Sequence, residues 1–406
     1  MLQLFKTFFL ATTVICIGIS LIIFPNQALE ASIRGLNMWW EIVFPSLLPF
    51  FITAELLISF GVVHFLGVLF EPIMRPLFKV PGVGSFGWIM GMASGYPTGA
   101  KIAVRLREEG QVTKHEAERL IAFTNASSPL FLFGAVSIGF FHDTKLGLLF
   151  AITHYLGNAC VGFIMRFYGS KDDKTSRKTK KRNTFSFIEA FKLMHRKRVE
   201  ANRPIGIIIS DAVLNSIQTL IMVGGFIILF SVFTKLIFLV GVSGLFAYGL
   251  RPIFDLLQLP TELTIPFFSG LFEITLGSQM ISQLGQSTIL SKAILVSFLI
   301  GFNGLSIHSQ VASIIAKSDI SYLPYLYGRL LHGLFASILT FILFKPLYIN
   351  RQVFDFRNWP VFSPNHIQSG TPSIYEFLHN FGPIITIVSL FIGMALLIHK
   401  KRYTHI

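Results

Sequence analysis

The chain has 406 residues, 52% of them hydrophobic and only 13% charged, with a net charge of +14. Soluble domains are about a quarter charged, so this composition excludes an ordinary globular enzyme and indicates an all-α polytopic membrane protein. The basic excess lies between apolar runs, which is the positive-inside pattern and not a nucleic-acid footprint.

In chain order, Lys6 precedes an uncharged run from Thr7 to Leu29. A secretory leader has this look, but "FPNQALEAS" follows too long an apolar stretch, so a first transmembrane helix over about 4–24 is expected. A hydrocarbon core ~30 Å thick takes ~20 helical residues. Runs at about 43–66, 120–141, 146–168, 208–234, 293–316, 325–347 and 379–399 bring the predicted spans to eight. Two further runs, 80–100 and 263–291, are rich in Gly, Ser, Thr and Pro. The first contains "GMASGYPTGAK", with Pro97 where a spanning helix most needs its hydrogen bonds.

Charge sets the expected orientation. Residues 169–203 hold twelve Lys or Arg against four acids, and the chain ends "HKKRYTHI", so both belong on the cytoplasmic side. The segment 350–378 is nearly balanced and fits the opposite side. Eight spans satisfy this only if 80–100 and 263–291 each enter and leave on one face, as two re-entrant helical hairpins.

The chain also repeats itself. "VPGVGSFGWIMGMASGYPTGAKIA" from Val80 aligns with "LPTELTIPFFSGLFEITLGSQMIS" from Leu259. Pro81 then matches Pro260, Gly91 matches Gly270, Ser94 matches Glu273 and Gly99 matches Ser278. Asn125 falls opposite Asn303, and the offset stays at 178–179 residues. The charge count gives the two repeats opposite topology, and inverted repeats with broken helices at mid-membrane mark secondary transporters. The expected organisation is an N-terminal helix over 1–34, a first repeat over 35–168 and a basic loop over 169–205. A second, inverted repeat over 206–348 and an outer loop with a last helix over 349–406 complete it.

Non-helical backbone at membrane depth is tolerated only where protein or a watery cavity satisfies it. The tips "SGYPTG" and "EITLGS" would therefore face a solute, and helices starting after such turns favour an anion. Candidate substrate-binding residues are Ser94, Gly95, Thr98 and Gly99 in the first tip and Glu273, Thr275 and Ser278 in the second. Asn125, Ser127, Ser128, Asn303 and Ser306 at the two following breaks join them. Single Ser and Thr residues are as often helix–helix glue, so the quasi-symmetric set carries the argument. Glu273 is the sharpest member: an ionisable group in an apolar run costs ~2.5 kcal/mol or more and is functional by default, unless a basic residue of the other repeat pairs with it.

Lys101 and Arg105 share a helix face and are candidates for the pathway mouth, or for snorkelling to the interface. Asp211, Asn215 and Gln218 form a polar stripe on the fifth span that lines the pathway or packs between repeats. No cofactor, metal or catalytic residue is expected. His154, His308 and His332 lack metal spacing, "HExxH" and a Walker A string are absent, and Cys16 and Cys160 sit in apolar runs. The basic loop fixes topology and could also bind anionic lipid.

At "MASGYPTGAKIAVRLREEG" and "AFTNASSPLFLFGAVSIG" the sequence resembles the YlbJ/SpoVV sporulation integral membrane proteins of endospore-forming bacteria, over roughly residues 35–345. That resemblance implies two Gate, or nucleoside-recognition, domains related to the core of concentrative nucleoside transporters. It also implies movement of dipicolinic acid from the mother cell through the outer forespore membrane. The expected partners are thus a small anionic solute and the lipid bilayer, with no nucleic acid; a homo-oligomer is left open. A nucleoside carrier and a non-transporting sporulation scaffold are the alternatives, and a scaffold needs no broken helices.

Overall fold

The structure, a computed structural model, describes residues 2–169 and 187–350, with positions 384, 387 and 388. The helices below belong to one compact unit, Met1–Arg351; Gln352–Ile406 form a second. Apart from those three positions, the expected last span 379–399 lies outside the described residues, as do 170–186 and 351–383.

Helices α1 (Leu2–Ile23) and α2 (Pro25–Asn37) lead through a wide-turn segment, Met38–Val43, into the first repeat. The run 43–66, expected as one straight span, is instead α3 (Phe44–Ser59) and α4 (Val62–Phe78), bent by 82°. Gly61 makes the bend with φ +79°, a left-handed conformation that ends a helix and that a glycine enters without Cβ strain. Then come α5 (Gly84–Ser94) and α6 (Thr98–Glu108), separated by Gly95–Pro97, and α7 (Lys114–Thr124). The hydroxyl of Thr113 accepts the Glu116 amide and the Glu116 carboxylate accepts the Thr113 amide, which fixes where α7 starts. Predicted span 120–141 is thus broken: α7 stops at Asn125, and a π-helical segment, Leu130–Phe140, resumes after Pro129. Helix α8 (Lys145–Met165) closes the repeat.

After α9 (Phe187–Ala201), which packs on α4, the second repeat follows the same plan. Helix α10 (Ile205–Leu239) turns at Gly241, φ +81°, into α11 (Val242–Leu256), as α3 turns into α4 at Gly61. Helices α12 (Thr264–Phe272) and α13 (Ile274–Gln283) are parted by Glu273 alone. Predicted span 293–316 is α14 (Ile289–Phe302) and α15 (Gly304–Ile315), divided at Asn303, which is left-handed at φ +82°. Last comes α16 (Tyr322–Phe344), the counterpart of α8.

Reciprocal contacts relate the halves. Helix α6 of the first repeat packs on α15 of the second, and α13 of the second packs on the Leu130–Phe140 segment of the first. Likewise α16 packs on α7, and α8 on α14. The legs of each hairpin cross at glycines. A Cβ on Gly91 would lie 3.2 Å from Gly99 Cα, and one on Gly277 would lie 2.1 Å from Gly270 Cα. These positions match Gly91 with Gly270 and Gly99 with Gly277, so the sequence pairing of Gly99 with Ser278 is off by one. The second break is one residue shorter than the sequence alignment assumes.

Two apolar cores form. At the base of the first hairpin, Val80 and Leu106 pack with Val112, Met165, Ile315 and Ile320. At the base of the second, Leu263 and Ile281 pack with Leu146, Phe254 and Phe344. The hairpins therefore open at different ends of the unit. Arg107 at the end of α6 holds Asp319 in the α15–α16 connection at 2.8 Å, and that hydrogen bond keeps the Asp319 carboxyl below its ordinary range. Among the described residues no strand occurs, and four helices are long and apolar enough to cross a membrane, or up to six if each bent pair is one span. The expected eight is not reached there, because several apolar runs are broken into shorter helices.

Candidate functional site

A cavity of about 630 Å³ lies between the hairpin tips. Ser94, Gly95 and Tyr96 form its first-hairpin wall, and Glu273 and Thr275 its second-hairpin wall. Ser127 and Ser128 from the α7 break, Ser306 and Gln310 from α15 and the exposed Glu41 add to the polar lining, while Val223 and Ile227 of α10 give an apolar side. Seven of the twelve expected substrate-binding residues thus meet in one chamber: Ser94, Gly95, Ser127, Ser128, Glu273, Thr275 and Ser306.

The two walls differ electrically. Glu273 is extended (φ −139°, ψ 114°), and its carboxylate accepts the Leu276 amide at 2.8 Å and the Thr275 hydroxyl. It is the N-cap of α13, so the positive helix end supports a charge that the sequence leaves unpaired. Among the described residues it forms no ion pair, contrary to the expected alternative of a basic partner. At the matching place in the first repeat, α6 begins after Pro97 with no side-chain cap. Ser94 on this wall and Thr98 just behind it are 1% and 2% exposed, and among the described residues their hydroxyls have no hydrogen-bond partner.

The other five expected residues lie off the chamber lining. Gly99 admits the end of α7 against the hairpin, with Thr124 O where its side chain would be. Ser278 is buried on the far leg of the second hairpin. Thr98 lines a second cavity of about 340 Å³, with Lys101, Arg105, Asn215 and Gln218. Lys101 pairs with Glu55 at 2.9 Å, and Arg105 with Glu109 at 2.5 Å. Between the cavities, Met222 and Ser313 face the smaller one while their neighbours Val223 and Gln310 face the larger. The Ser313 hydroxyl lies 3.4 Å from Met222 Sδ. Asp211 lines neither cavity; Arg203 holds it.

Asn125 and Asn303, expected to touch the solute, sit one layer behind. The Nδ2 of Asn125 donates to the Tyr325 hydroxyl at 3.0 Å, and that of Asn303 to the same oxygen at 3.3 Å. One hydroxyl thus joins the breaks of both repeats. Both side chains are fully buried, so these groups have no water to fall back on. Asn125→Ala is therefore expected to cost about 0.5–1.5 kcal/mol of stability through the lost hydrogen bond, the Tyr325 hydroxyl keeping Asn303 as its partner. Thermal unfolding of purified protein reads this, and an unchanged melting temperature would show that the clasp contributes nothing.

Sequence spacing also hides how the histidines meet. His154 and His332 lie ring against ring with centroids 4.4 Å apart. The Ser127 amide donates to His154 Nε2 at 2.9 Å, and His332 Nε2 lies 2.7 Å from His154 O. Arg329 Nη1 is 3.0 Å from His332 Nδ1 and donates to Asn125 O at 2.8 Å. No described group of three or more His, Cys, Asp or Glu could hold a metal.

These breaks, glycine crossings and opposed hairpins define a multi-pass membrane protein built of two Gate repeats. The Gate family model, described as nucleoside recognition, matches residues 40–145 and 220–318, one stretch in each repeat. The sporulation integral membrane protein YlbJ of Bacillus subtilis (strain 168) is 48% identical over 388 residues, 95% of this chain and 94% of that protein. The chain belongs to this family of sporulation integral membrane proteins. An uncharacterised protein of Alkalihalophilus pseudofirmus is 34% identical over 110 residues, 26% of this chain and 23% of its own. A solved structure of a CNTnw variant in an outward-facing state covers 80% of this chain and 85% of its own, at 12% identity and a TM-score of 0.43.

Proposed function

We propose that the protein carries a small organic anion across a membrane during sporulation, and that dipicolinate is that anion. The observation that carries this reading is the chamber of about 630 Å³ between two opposed hairpin tips, with the buried Ser94 hydroxyl, unpartnered among the described residues, on the wall that leads into the uncapped start of α6. Such groups hold a carboxylate without a salt bridge. The smaller cavity beyond the Met222–Ser313 layer offers a place for the solute on the other side of a thin partition. By family resemblance the membrane is the outer forespore membrane, crossed from the mother cell. A carrier does no chemistry on its cargo, so the protein is not an enzyme in this reading.

A nucleoside is the second reading. Glu273, an acceptor on the second wall, suits sugar hydroxyls, and the matching family model is described as nucleoside recognition. Vesicles carrying the purified protein decide between them. Labelled dipicolinate is expected to enter faster than labelled uridine or adenosine. Uptake of nucleosides with none of dipicolinate would overturn the first reading, and uptake of neither would favour a scaffold.

A further inference from the structure

Arg329 on α16 is 0% exposed, yet all its partners are neutral. Its guanidinium donates to the carbonyls of Asn125 and Ala122 and to Asn158 Oδ1 at 3.2 Å, and touches His332 Nδ1. Among the described residues no carboxylate pairs with it, whereas Lys101, Arg105 and Arg107 each have one. Closing the end of α7 does not by itself call for a charge. At the end of α14, the corresponding helix, neutral imidazole chemistry suffices: His308 Nε2 lies 2.9 Å from Phe302 O.

The location of this charge matters. Asn125 O, which Arg329 grips, is two residues from Ser127, a chamber-lining residue. Consecutive Cα atoms are 3.8 Å apart, so the guanidinium lies within about 13 Å of the Ser127 Cα. In a poorly screened interior a unit charge is felt over such a distance. The same wall has the Ser94 hydroxyl, unpartnered among the described residues, while the opposite wall has Glu273.

We infer that Arg329 is a specificity-determining residue that never touches the solute: its unneutralised charge makes the first-hairpin wall accept the anionic end. The inference rests on the reading of the chamber as a solute site and deepens it. The chamber then has a polarity, with the anionic edge of the solute held toward Ser94, Gly95 and Ser127 and away from Glu273.

The test compares dipicolinate with its uncharged diamide, which has the same ring and nearly the same shape, by binding to the purified full chain. Wild-type protein is expected to prefer the dianion. Asn158→Asp sets a carboxylate beside the Arg329 guanidinium and cancels its charge while leaving Arg329 in place. It is expected to lower the dianion-to-diamide affinity ratio at least about tenfold, with diamide binding changed by no more than about twofold. Asn158→Ser removes the amide without adding charge and is expected to keep the ratio. Should Asn158→Asp not fold, Arg329→Lys is expected to keep the ratio and Arg329→Gln to lose it. Equal loss of both ligands in Asn158→Asp would show a merely structural role and overturn the inference. So would an unchanged ratio in Asn158→Asp, or wild-type protein that binds both ligands equally or neither. A different anion that outcompetes dipicolinate, with a ratio that still responds to Asn158→Asp, would replace the proposed solute and leave the inference standing.

Discussion

Gly99→Val is expected to abolish folding of the protein. The Thr124 carbonyl oxygen lies where side chains on both hairpin legs would start: 2.0 Å from a Cβ on Gly99 and 1.9 Å from one on Gly91. The obstacle is backbone and cannot turn aside as a flexible side chain can. Overpacking usually costs about 1–3 kcal/mol, and a clash against fixed backbone exceeds that range. Helix–helix approach at small residues is the usual way to pack membrane helices, and here it decides whether the hairpin can close at all. Gly225→Val is the control, because nothing lies within 4 Å of its Cβ position. Size-exclusion profiles in detergent should show aggregate or no protein for Gly99→Val and a wild-type peak for Gly225→Val. A monodisperse Gly99→Val protein with an unchanged melting temperature would contradict the crossing.

Glu273→Gln is expected to leave a folded protein that has lost most of its uptake. The Gln oxygen can still accept the Leu276 amide and the Thr275 hydroxyl, so the cap of α13 survives. The lost charge–dipole contribution is about 0.3–1 kcal/mol, too little to unfold the chain. Replacing a carboxylate by a neutral amide does not hinder insertion, so low abundance is not the expected cause of failure. What changes is the chamber wall, which loses its one interior carboxylate; Glu41, the other acid that lines the cavity, is exposed. Solute uptake at matched protein amounts is expected to fall at least about tenfold, equivalent to 1.4 kcal/mol. Equal uptake of wild type and Glu273→Gln across a pH series would reduce Glu273 to a helix cap.

The architecture is legible in the sequence where breaks have a local chemical cause. Pro97, Pro129 and the Gly-rich tips announce two hairpins and a broken helix, and the offset of 178–179 residues announces the repeat. The bend at Gly61 is not legible, because a lone glycine inside an apolar run is ordinary in membrane helices. The chamber residues are found as a set, but depth is not. Nothing local separates Ser127, which lines the cavity, from Asn125, which turns away to Tyr325. Tyr96 and Gln310 pass unnoticed because neither belongs to the quasi-symmetric Ser, Thr and Asn set that the repeat singles out. Arg329 is different: the rule that singles out Glu273, an ionisable side chain inside an apolar run, applies equally to Arg329 within 325–347.

The Tyr325 hydroxyl serves the breaks of both repeats, and its counterpart in the first repeat, 178 residues earlier, is Gly147. That glycine has no room for a tyrosine, since even a Cβ there would lie 2.4 Å from the Phe133 ring. The halves have therefore divided one task unequally. Two copies of the first half would bring together two asparagines and no phenol; two copies of the second would bring two phenols into one place. A duplicated, back-to-back design has in this way become one in which each half needs its unlike twin.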